Sequence, residues 1–367
     1  MSKVTTFIVK TVGTCNLGCN YCFASDGFHG DRMSSEMIEK VVHEIESLGL
    51  PSARFLWHGG EPLLLGIDGY KHGLQAQSEC DTQFLNSVQT NGTLFNDAYC
   101  ELFKEYHFTV GVSVDGYMTV QNLNRPMANG KASYGKVMNG ISVLKKHEIP
   151  FTTISVVSKY TDPARFFHFI RSIGPTSFAL KPCVSEWEQS VSLEEYTDFL
   201  RIIFGLWLEL DDEDLISRNF MSMAENIASG QNMQSLCSTS GLCGHFATIA
   251  VNGDVFPCDE LTDPQYLWGN ILEQSLADIL SGEARAKFLR RVAIRGKQCE
   301  ETCLAYGACR GGCTACHDFY PESSYCAHLR DTAEEIRQAL VAGLDETEAT
   351  NDDKVALLLD PSLLSDV

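Results

Sequence analysis

The chain alternates between short apolar runs and longer segments in which apolar residues recur at helical spacing. After the capping residue Ser34, for example, Met37, Val41 and Ile45 fall on one helical face. The apolar runs predict strands at residues 7–10, 53–58, 87–93, 110–116, 151–157 and 179–182. Strand–helix alternation over about 180 residues predicts a parallel sheet. Six such units predict an α/β fold, namely an open, partial (β/α)6 TIM-like barrel rather than a closed barrel of eight units.

Beyond the sixth predicted strand the pattern changes to helices and one hairpin. Residues 191–210 predict an amphipathic helix that begins at Ser192, with two glutamates in the first turn, where the helix dipole favours them. The acidic run at residues 211–214 is typical of a solvated turn. Residues 248–257 predict two short strands around Asn252-Gly253, a strong hairpin signal.

These patterns divide the chain into three parts. Residues 1–228 are predicted to form the barrel with its bridging helices, and residues 229–330 a small, cysteine-rich second domain with the hairpin. Residues 331–367 are predicted to form an amphipathic helix from Asp331 to Leu344 and an acidic tail with a leucine cluster.

Composition narrows the possible functions. There are 28 Lys and Arg residues against 48 Asp and Glu residues, a net charge of −20, which disfavours nucleic acid as a partner. The chain shows neither a signal-peptide core near residue 1 nor an apolar run of about 18 residues, so we expect a cytoplasmic protein without a membrane partner. Fifteen cysteines in such a chain indicate metal or redox chemistry rather than disulfides.

Three of these thiols, Cys15, Cys19 and Cys22, follow the first predicted strand with the spacing C-x3-C-x2-C. Three thiolates on a four-iron cluster leave one iron open for another ligand. A zinc knuckle is the alternative, but a structural zinc site needs four ligands, and the next candidate is His29. The spacing, with an aromatic residue before the third cysteine, resembles the signature of the radical SAM superfamily. That resemblance implies a [4Fe–4S] cluster whose open iron binds S-adenosylmethionine (SAM) and cleaves it to a 5′-deoxyadenosyl radical.

Other residues of this half match the same superfamily. Gly59-Gly60-Glu61-Pro62 follows the second strand, where glycines permit close approach of the backbone, and it resembles the motif that binds the methionine amino group. The resemblance further implies that Ser113 contacts SAM, that Asn91 and Asp115 line the site, and that Arg125 faces it. For the first three the alternative is an ordinary polar turn residue, and for Arg125 it is a surface salt bridge.

The thiols of the second domain resemble those of SPASM domains. This resemblance implies two auxiliary [4Fe–4S] clusters, and hence three clusters in all, held by two sets of four thiolates: Cys237, Cys243, Cys258 and Cys313, and then Cys299, Cys303, Cys309 and Cys326. The Cys299–Cys303 spacing is C-x3-C where C-x2-C is usual, and Cys316 is left over. Residue types alone leave a double zinc site open, because both metals accept four thiolates.

The resemblance extends to the reaction, because radical SAM/SPASM proteins mostly modify peptides or proteins. Asp259 follows Cys258, where sulfatase-maturing enzymes carry an aspartate that acts as a base, and the alternative is a helix-cap or turn aspartate. The implied mechanism transfers a hydrogen atom from a side-chain carbon to the deoxyadenosyl radical, an electron to an auxiliary cluster and a proton to the base. A purely electron-transferring protein is disfavoured, because it has no need of Gly59-Gly60-Glu61-Pro62.

Two products fit this mechanism. One is a carbon–carbon crosslink (cyclophane) between an aromatic side chain and a nearby β-carbon of a ribosomal peptide, and the other is formylglycine made from Cys or Ser in a sulfatase. The layout of the SPASM cysteines resembles the sulfatase maturases, but Trp57-His58 and Leu63-Leu64-Leu65-Gly66, on either side of the Gly-Gly-Glu-Pro motif, resemble the cyclophane-forming maturases. Sulfatase maturases typically carry Gln and an aromatic residue where this chain has His58 and Ala24. The sequence therefore favours the crosslink, with product choice made around His58, Arg125 and Asp259.

The implied partners are a precursor peptide substrate and an electron donor such as flavodoxin or ferredoxin. The cysteine loop arrives by residue 15, so we expect no separate peptide-binding domain before the barrel. The precursor would then be held by barrel loops, the second domain or the C-terminal tail.

Overall fold

A computed structural model describes residues 4–22, 32–184, 186–230 and 236–347. The strands of this part of the chain join one sheet in the order β10-β9-β8-β1-β2-β3-β4-β5-β6-β7. Each strand from β1 to β6 pairs in parallel with the next one. This confirms the predicted α/β fold, an open barrel built from strand–helix units. The strands are β1 (Thr6–Val12), β2 (Ser52–Gly59), β3 (Gln83–Thr90), β4 (Thr109–Ser113), β5 (Phe151–Val156), β6 (Ser177–Lys181), β7 (Ile216–Ser217), β8 (Phe246–Ile249), β9 (Asp254–Phe256) and β10 (Gly269–Asn270).

Helices cover the outside of the barrel and form most of the region after it. None among the described residues is long and apolar enough to cross a membrane. The helices are α1 (Ser35–Glu46), α2 (Ile67–Ser78), α3 (Asp97–Glu105), α4 (Met118–Asn124), α5 (Tyr134–Lys146), α6 (Pro163–Ile173), α7 (Leu193–Leu210), α8 (Arg218–Ser229), α9 (Leu276–Ser281), α10 (Glu283–Thr302), α11 (Tyr306–Cys309), α12 (Thr314–Phe319) and α13 (Glu322–Thr347).

Two helices can be compared with the starts predicted for them from the sequence. One begins where it was predicted to begin, and the other does not. Helix α7 begins after Ser192, whose side chain forms a capping box with Glu195, as the sequence indicates. Helix α13 begins at Glu322, so the predicted start at Asp331 is wrong. Tyr325 and Leu329 are buried and continue the apolar face of the later turns, so the helix extends toward the N-terminus as far as Glu322, directly after Pro321.

The barrel core lies between the sheet and its outer helices. Trp57 on β2 is fully buried and donates its indole N–H to Asn86 on β3 at 2.7 Å. A Cβ at Gly73 of α2 would lie 2.6 Å from the Trp57 ring, so only glycine lets this helix pack so closely. The carboxyl ends of β1 to β4 are thereby held at one edge of the sheet, where the candidate site residues lie.

The predicted hairpin of the second domain extends the barrel sheet. Strand β8 pairs parallel to β1, and β9 folds back antiparallel through Asn252-Gly253, where Gly253 has a φ of +90°. This confirms the hairpin and carries the next residues, Cys258 onward, toward the barrel. The domain boundaries themselves stay a prediction.

Candidate active site

The loop that carries Cys15, Cys19 and Cys22 is fixed to the glycine pair after β2. Gly60 N–H donates to the Val12 carbonyl at 2.7 Å, and Glu61 N–H donates to the Thr14 carbonyl at 3.0 Å. A Cβ at Gly60 would lie 2.2 Å from the Thr14 oxygen, and one at Gly59 2.2 Å from the Val12 oxygen. The two glycines are therefore needed for the contact between two backbones that places the thiol loop.

The Glu61 side chain is fully buried and bonded within the protein. Its carboxylate accepts hydrogen bonds from Leu63 N–H at 3.0 Å, Thr90 Oγ1 at 2.6 Å and Asn91 N–H at 2.8 Å. Burial raises the pKa of Glu61, although these donors oppose the shift. The carboxylate thus joins the ends of β2 and β3, and its predicted contact with the methionine amino group stays a prediction.

Asn91, at the end of β3, contacts the thiol loop directly. Its Nδ2 lies 3.7 Å from Cys15 Sγ and donates to Asn16 Oδ1 at 2.8 Å. The Leu17 N–H also points to Cys15 Sγ, at 3.4 Å. Burial raises the pKa of the Cys15 thiol, whereas N–H donors favour the thiolate that a metal requires. These contacts suit Cys15 to the role of a cluster ligand.

Asp115 and Arg125 meet beneath the same loop. Asp115 is fully buried and accepts hydrogen bonds from Tyr21 Oη at 2.7 Å and Val156 N–H at 3.1 Å, and Arg125 Nη1 lies 3.4 Å from its Oδ1. The Arg125 side chain is only 12% exposed, so it is not the surface residue that the sequence left possible. Burial acts to lower the pKa of Arg125, but Cys19, Tyr21 and Asp115 raise it well above its ordinary value. Arg125 is therefore a fixed positive charge beside the thiol loop.

Ser113, at the end of β4, stands next to this cluster of polar groups. Its hydroxyl accepts a hydrogen bond from Gln89 Nε2 of β3 at 2.9 Å. The bond holds the hydroxyl at the carboxyl edge of the sheet, and its predicted contact with SAM stays a prediction.

A second polar cluster lies where the hairpin meets the barrel. His58 Nε2 is 3.9 Å from Asp259 Oδ2, and their side chains are 19% and 28% exposed. Burial lowers the pKa of His58 to about 4, so its imidazole is neutral at neutral pH. Burial acts to raise the pKa of Asp259, but the charges of Lys181 and Lys10 help to lower it below its ordinary value. Asp259 is therefore ionised at neutral pH, and only this form can accept a proton.

The first predicted set of four cysteines lies beside Asp259. The thiols of Cys237 and Cys258 each interact electrostatically with those of Cys243 and Cys313. Thr314 Oγ1 lies 3.2 Å from Cys243 Sγ. The residue left over, Cys316, is buried and hydrogen-bonds to the Cys313 thiol, a contact that raises the pKa of Cys316. Four thiols are thus brought together from three separate stretches of sequence.

The second predicted set lines one cavity of about 460 Å³. The irregular spacing of Cys299 and Cys303 is explained by α10, because residues four apart lie on the same helix face and Cys303 N–H donates to the Cys299 carbonyl at 2.8 Å. A zinc ion, with bonds of about 2.3 Å to sulfur, would leave most of such a cavity empty. The site therefore favours a cluster over a single ion. The other four-thiol set and the loop of three carry the same donor chemistry.

The structure adds three residues that the sequence did not single out. Lys10 on β1, Lys181 on β6 and Glu260 all lie around Asp259, and Lys10 Nζ donates to the Asp259 carbonyl at 3.2 Å. A charged residue in the otherwise apolar strand of residues 7–10 was the one available signal. Phe23, Ala24 and His29 lie outside the described residues.

Comparisons with known proteins agree with this arrangement. Residues 9–171 match the radical SAM superfamily, and residues 243–317 match SPASM, an iron–sulfur cluster-binding domain. A serine-type anaerobic sulfatase-maturating enzyme of Bacteroides thetaiotaomicron is 32% identical over 340 residues, 83% of this chain and 81% of the relative.

Two solved structures share the fold. Native anSMEcpe with bound AdoMet and the Kp18Cys peptide is 25% identical, with a TM-score of 0.83 over 93% of this chain and 99% of that one. Streptococcus suis SuiB bound to the precursor peptide SuiA is 16% identical, with a TM-score of 0.63 over 86% of this chain and 73% of that one.

Proposed function

Because this chain belongs to the radical SAM enzymes that carry a SPASM domain and include the anaerobic sulfatase-maturating enzymes, we propose that it oxidises a peptide substrate by two electrons at a side-chain β-carbon. Support for a peptide comes from the relatives, among which anSMEcpe and SuiB have each been seen with a bound peptide. The thiols of Cys15, Cys19 and Cys22 would hold the cluster that binds SAM, beside Gly59, Gly60, Asn91 and Ser113. When bound there, SAM supplies a 5′-deoxyadenosyl radical that removes one hydrogen atom from the substrate.

The product we propose is a carbon–carbon crosslink between that β-carbon and an aromatic ring. The substrate loses one hydrogen atom from the β-carbon and, from the ring, one proton and one electron. Asp259 is placed to accept the proton, with the neutral His58 imidazole beside it. The two four-thiolate sets would hold the electron acceptors that this balance requires, giving three clusters in all. The reductant that starts the cycle, such as flavodoxin or ferredoxin, stays a prediction.

One observation carries the choice of product. His58 stands where sulfatase maturases typically have Gln, and its ring nitrogen lies 3.9 Å from the proposed base. The residue at which this chain departs from the sulfatase maturases therefore lies next to the group proposed to remove the proton, and not on a remote surface. A change at this point supports a reaction that differs from formylglycine formation after the first hydrogen has been removed.

Formylglycine formation is the second candidate, because the serine-type maturase of Bacteroides is similar over most of both chains. Mass alone cannot separate the candidates when serine is the target, since serine oxidation also removes two hydrogen atoms. An aldehyde, however, reacts with a hydrazide, and a crosslink does not.

The test uses the reconstituted enzyme with SAM, a reductant and two peptides, one with aromatic three-residue repeats and one with a sulfatase-type Ser or Cys. We expect the aromatic peptide to lose two hydrogen atoms, to give no fragment ions between the joined residues and to remain inert to hydrazide. If only the sulfatase-type peptide were modified, and its product reacted with hydrazide, formylglycine formation would be supported and the crosslink rejected. The Cys80→Ser enzyme, altered at a half-buried thiol outside both clusters of polar groups, serves as a control for thiol loss.

A further inference from the structure

The barrel has an open side between its first and sixth strands. In the sheet, β1 lies between β8 and β2, and β6 lies between β5 and β7, so β1 and β6 are not paired with each other. The segment Cys258–Glu260, just after β9, is held by side chains from both strands. It carries a predicted cluster ligand and the proposed base.

Lys10 holds this segment from β1. Its side chain is 1% exposed, and its ammonium group donates to the Asp259 main-chain carbonyl at 3.2 Å. The same ammonium group interacts with Cys22 and Cys258, one thiol from each side of the site. A buried ammonium group is costly unless it is paired, so its presence in an apolar strand indicates a specific role.

Lys181 holds the segment from β6. Its ammonium group forms an ion pair with Glu260, the residue after Asp259, and the Glu260 side chain is only 9% exposed. The Lys181 side chain is 39% exposed, so the pair is shielded from water on the Glu260 side only. Its bond is charge-assisted, and such bonds are stronger and more directional than neutral ones. Asp259 therefore lies between two lysine contacts that come from opposite edges of the six-stranded barrel.

We propose that Lys10 and Lys181 are positioning residues that fix the Cys258–Glu260 segment across the open side of the barrel and so orient Asp259 toward His58 and the substrate. The inference rests on the proposed function for its chemical consequence. The radical is generated at the loop after β1, whereas conversion of the substrate radical depends on Asp259. Loss of either lysine contact therefore uncouples SAM cleavage from product formation.

The experiment compares Lys10→Met, Lys181→Met and Glu260→Gln with Lys146→Met, which removes a lysine from an exposed ion pair with Asp97. Product and 5′-deoxyadenosine are quantified together on the cluster-loaded enzyme. We expect the ratio of product to 5′-deoxyadenosine to fall about tenfold or more in the first three variants, since misplacing a catalytic group by about 1 Å can cost a hundredfold. Lys146→Met should keep the wild-type ratio.

A charge swap distinguishes positioning from general damage. Lys181→Glu combined with Glu260→Lys re-forms the pair with reversed charges, and we expect its product ratio to exceed that of either single change. Should Lys10→Met fail to fold or to load iron, the partly exposed Lys181–Glu260 pair decides the question. A swap no better than the single variants, or unchanged ratios in Lys181→Met and Glu260→Gln, would overturn the proposal.

Hydrogen–deuterium exchange gives a readout that needs no peptide turnover. In the cluster-loaded protein without substrate, we expect amides of residues 258–262 to exchange faster in Lys10→Met and Lys181→Met than in Lys146→Met. Unchanged exchange in that segment contradicts the proposal even if no peptide is ever turned over. Faster exchange with no peptide product from any variant or from wild type would support the positioning role and count against the proposed function.

Discussion

The thiols that follow β1 lie on one loop fixed by backbone contacts, whereas those of residues 237–326 are spread over several turns and helices. The first loop is held through Gly59, Gly60 and Asn91, all at the ends of buried strands. In the second region, α11 has 4 residues and α12 has 6, and α10 buries only Arg285 and Phe288 among its 20 residues. The barrel thus owes its shape to a hydrophobic core, and the later region depends far more on what its thiols bind.

The largest expected effect comes from separating the two thiol regions chemically. Cys19→Ser removes one of the three proposed cluster ligands in the loop after β1, so we expect 5′-deoxyadenosine formation to fall to background. Cys303→Ser alters only the second four-thiol set, so SAM cleavage should continue while product is lost. Quantifying 5′-deoxyadenosine and peptide product by mass spectrometry checks both.

The control for this pair is Cys80→Ser, which should behave as wild type. If Cys19→Ser still cleaved SAM, or if Cys303→Ser still made product at the wild-type yield, the division of roles between the two regions would be wrong.

The next effect concerns the backbone contact that places the first loop. Gly60→Ala puts a Cβ 2.2 Å from the Thr14 oxygen. Because the two backbones must then move apart, we expect the free energy of unfolding to fall by more than about 3 kcal/mol. SAM cleavage should fall by about a hundredfold. Thermal denaturation and a 5′-deoxyadenosine assay measure the two effects.

Gly135→Ala is the matched control. A Cβ at this position of α5 meets nothing within 4 Å, so the change should stabilise the helix by about 0.5–1 kcal/mol. Equal behaviour of the two variants would show that the close approach at Gly60 is not what holds the loop.

Removal of iron should affect the two regions unequally. Treatment with a chelator under reducing conditions should raise amide exchange in α10 to α12 while β1 to β4 stay protected, because the strands are embedded in the hydrophobic core whereas α10 buries only two of its residues. Hydrogen–deuterium exchange of the loaded and stripped protein measures this. Equal loss of protection in both regions is the contrary result.

The smallest expected effect is on stability and leaves the catalytic reaction unchanged. Ser192→Ala removes the capping box of α7 and should lower stability by about 1 kcal/mol. We expect the same loss of stability with and without iron, and an unchanged yield of product per SAM cleaved. A loss that appeared only in the iron-loaded protein would link this helix to the thiol region.

Local patterns predicted much of this architecture because they require only neighbouring residues. The six strands, the Ser192 cap and the Asn252-Gly253 hairpin were all readable in this way, and the structure confirms them. The pairing of β8 with β1 could not be predicted, because it joins residues far apart in the sequence, such as Thr6 and Phe246.

The candidate site divides in the same manner. Cysteine spacing and Gly59-Gly60-Glu61-Pro62 pointed to the first loop, and the structure brings those residues together. Lys10 was missed because its partner, Asp259, is 249 residues away and no spacing rule connects them. The sequence could not decide whether Arg125 is buried at the site or exposed on the surface. Its ion pair with the buried Asp115, seen only in the structure, shows that it is buried.

We propose that the radical arises at the loop after β1 and that the product is decided at Asp259. The most direct measurement uses Asp259→Asn with a peptide deuterated at the β-carbon of the target residue. We expect deuterium still to appear in 5′-deoxyadenosine while the modified peptide is lost. A variant that makes wild-type amounts of product, or that transfers no deuterium despite full iron content and SAM binding, would contradict it.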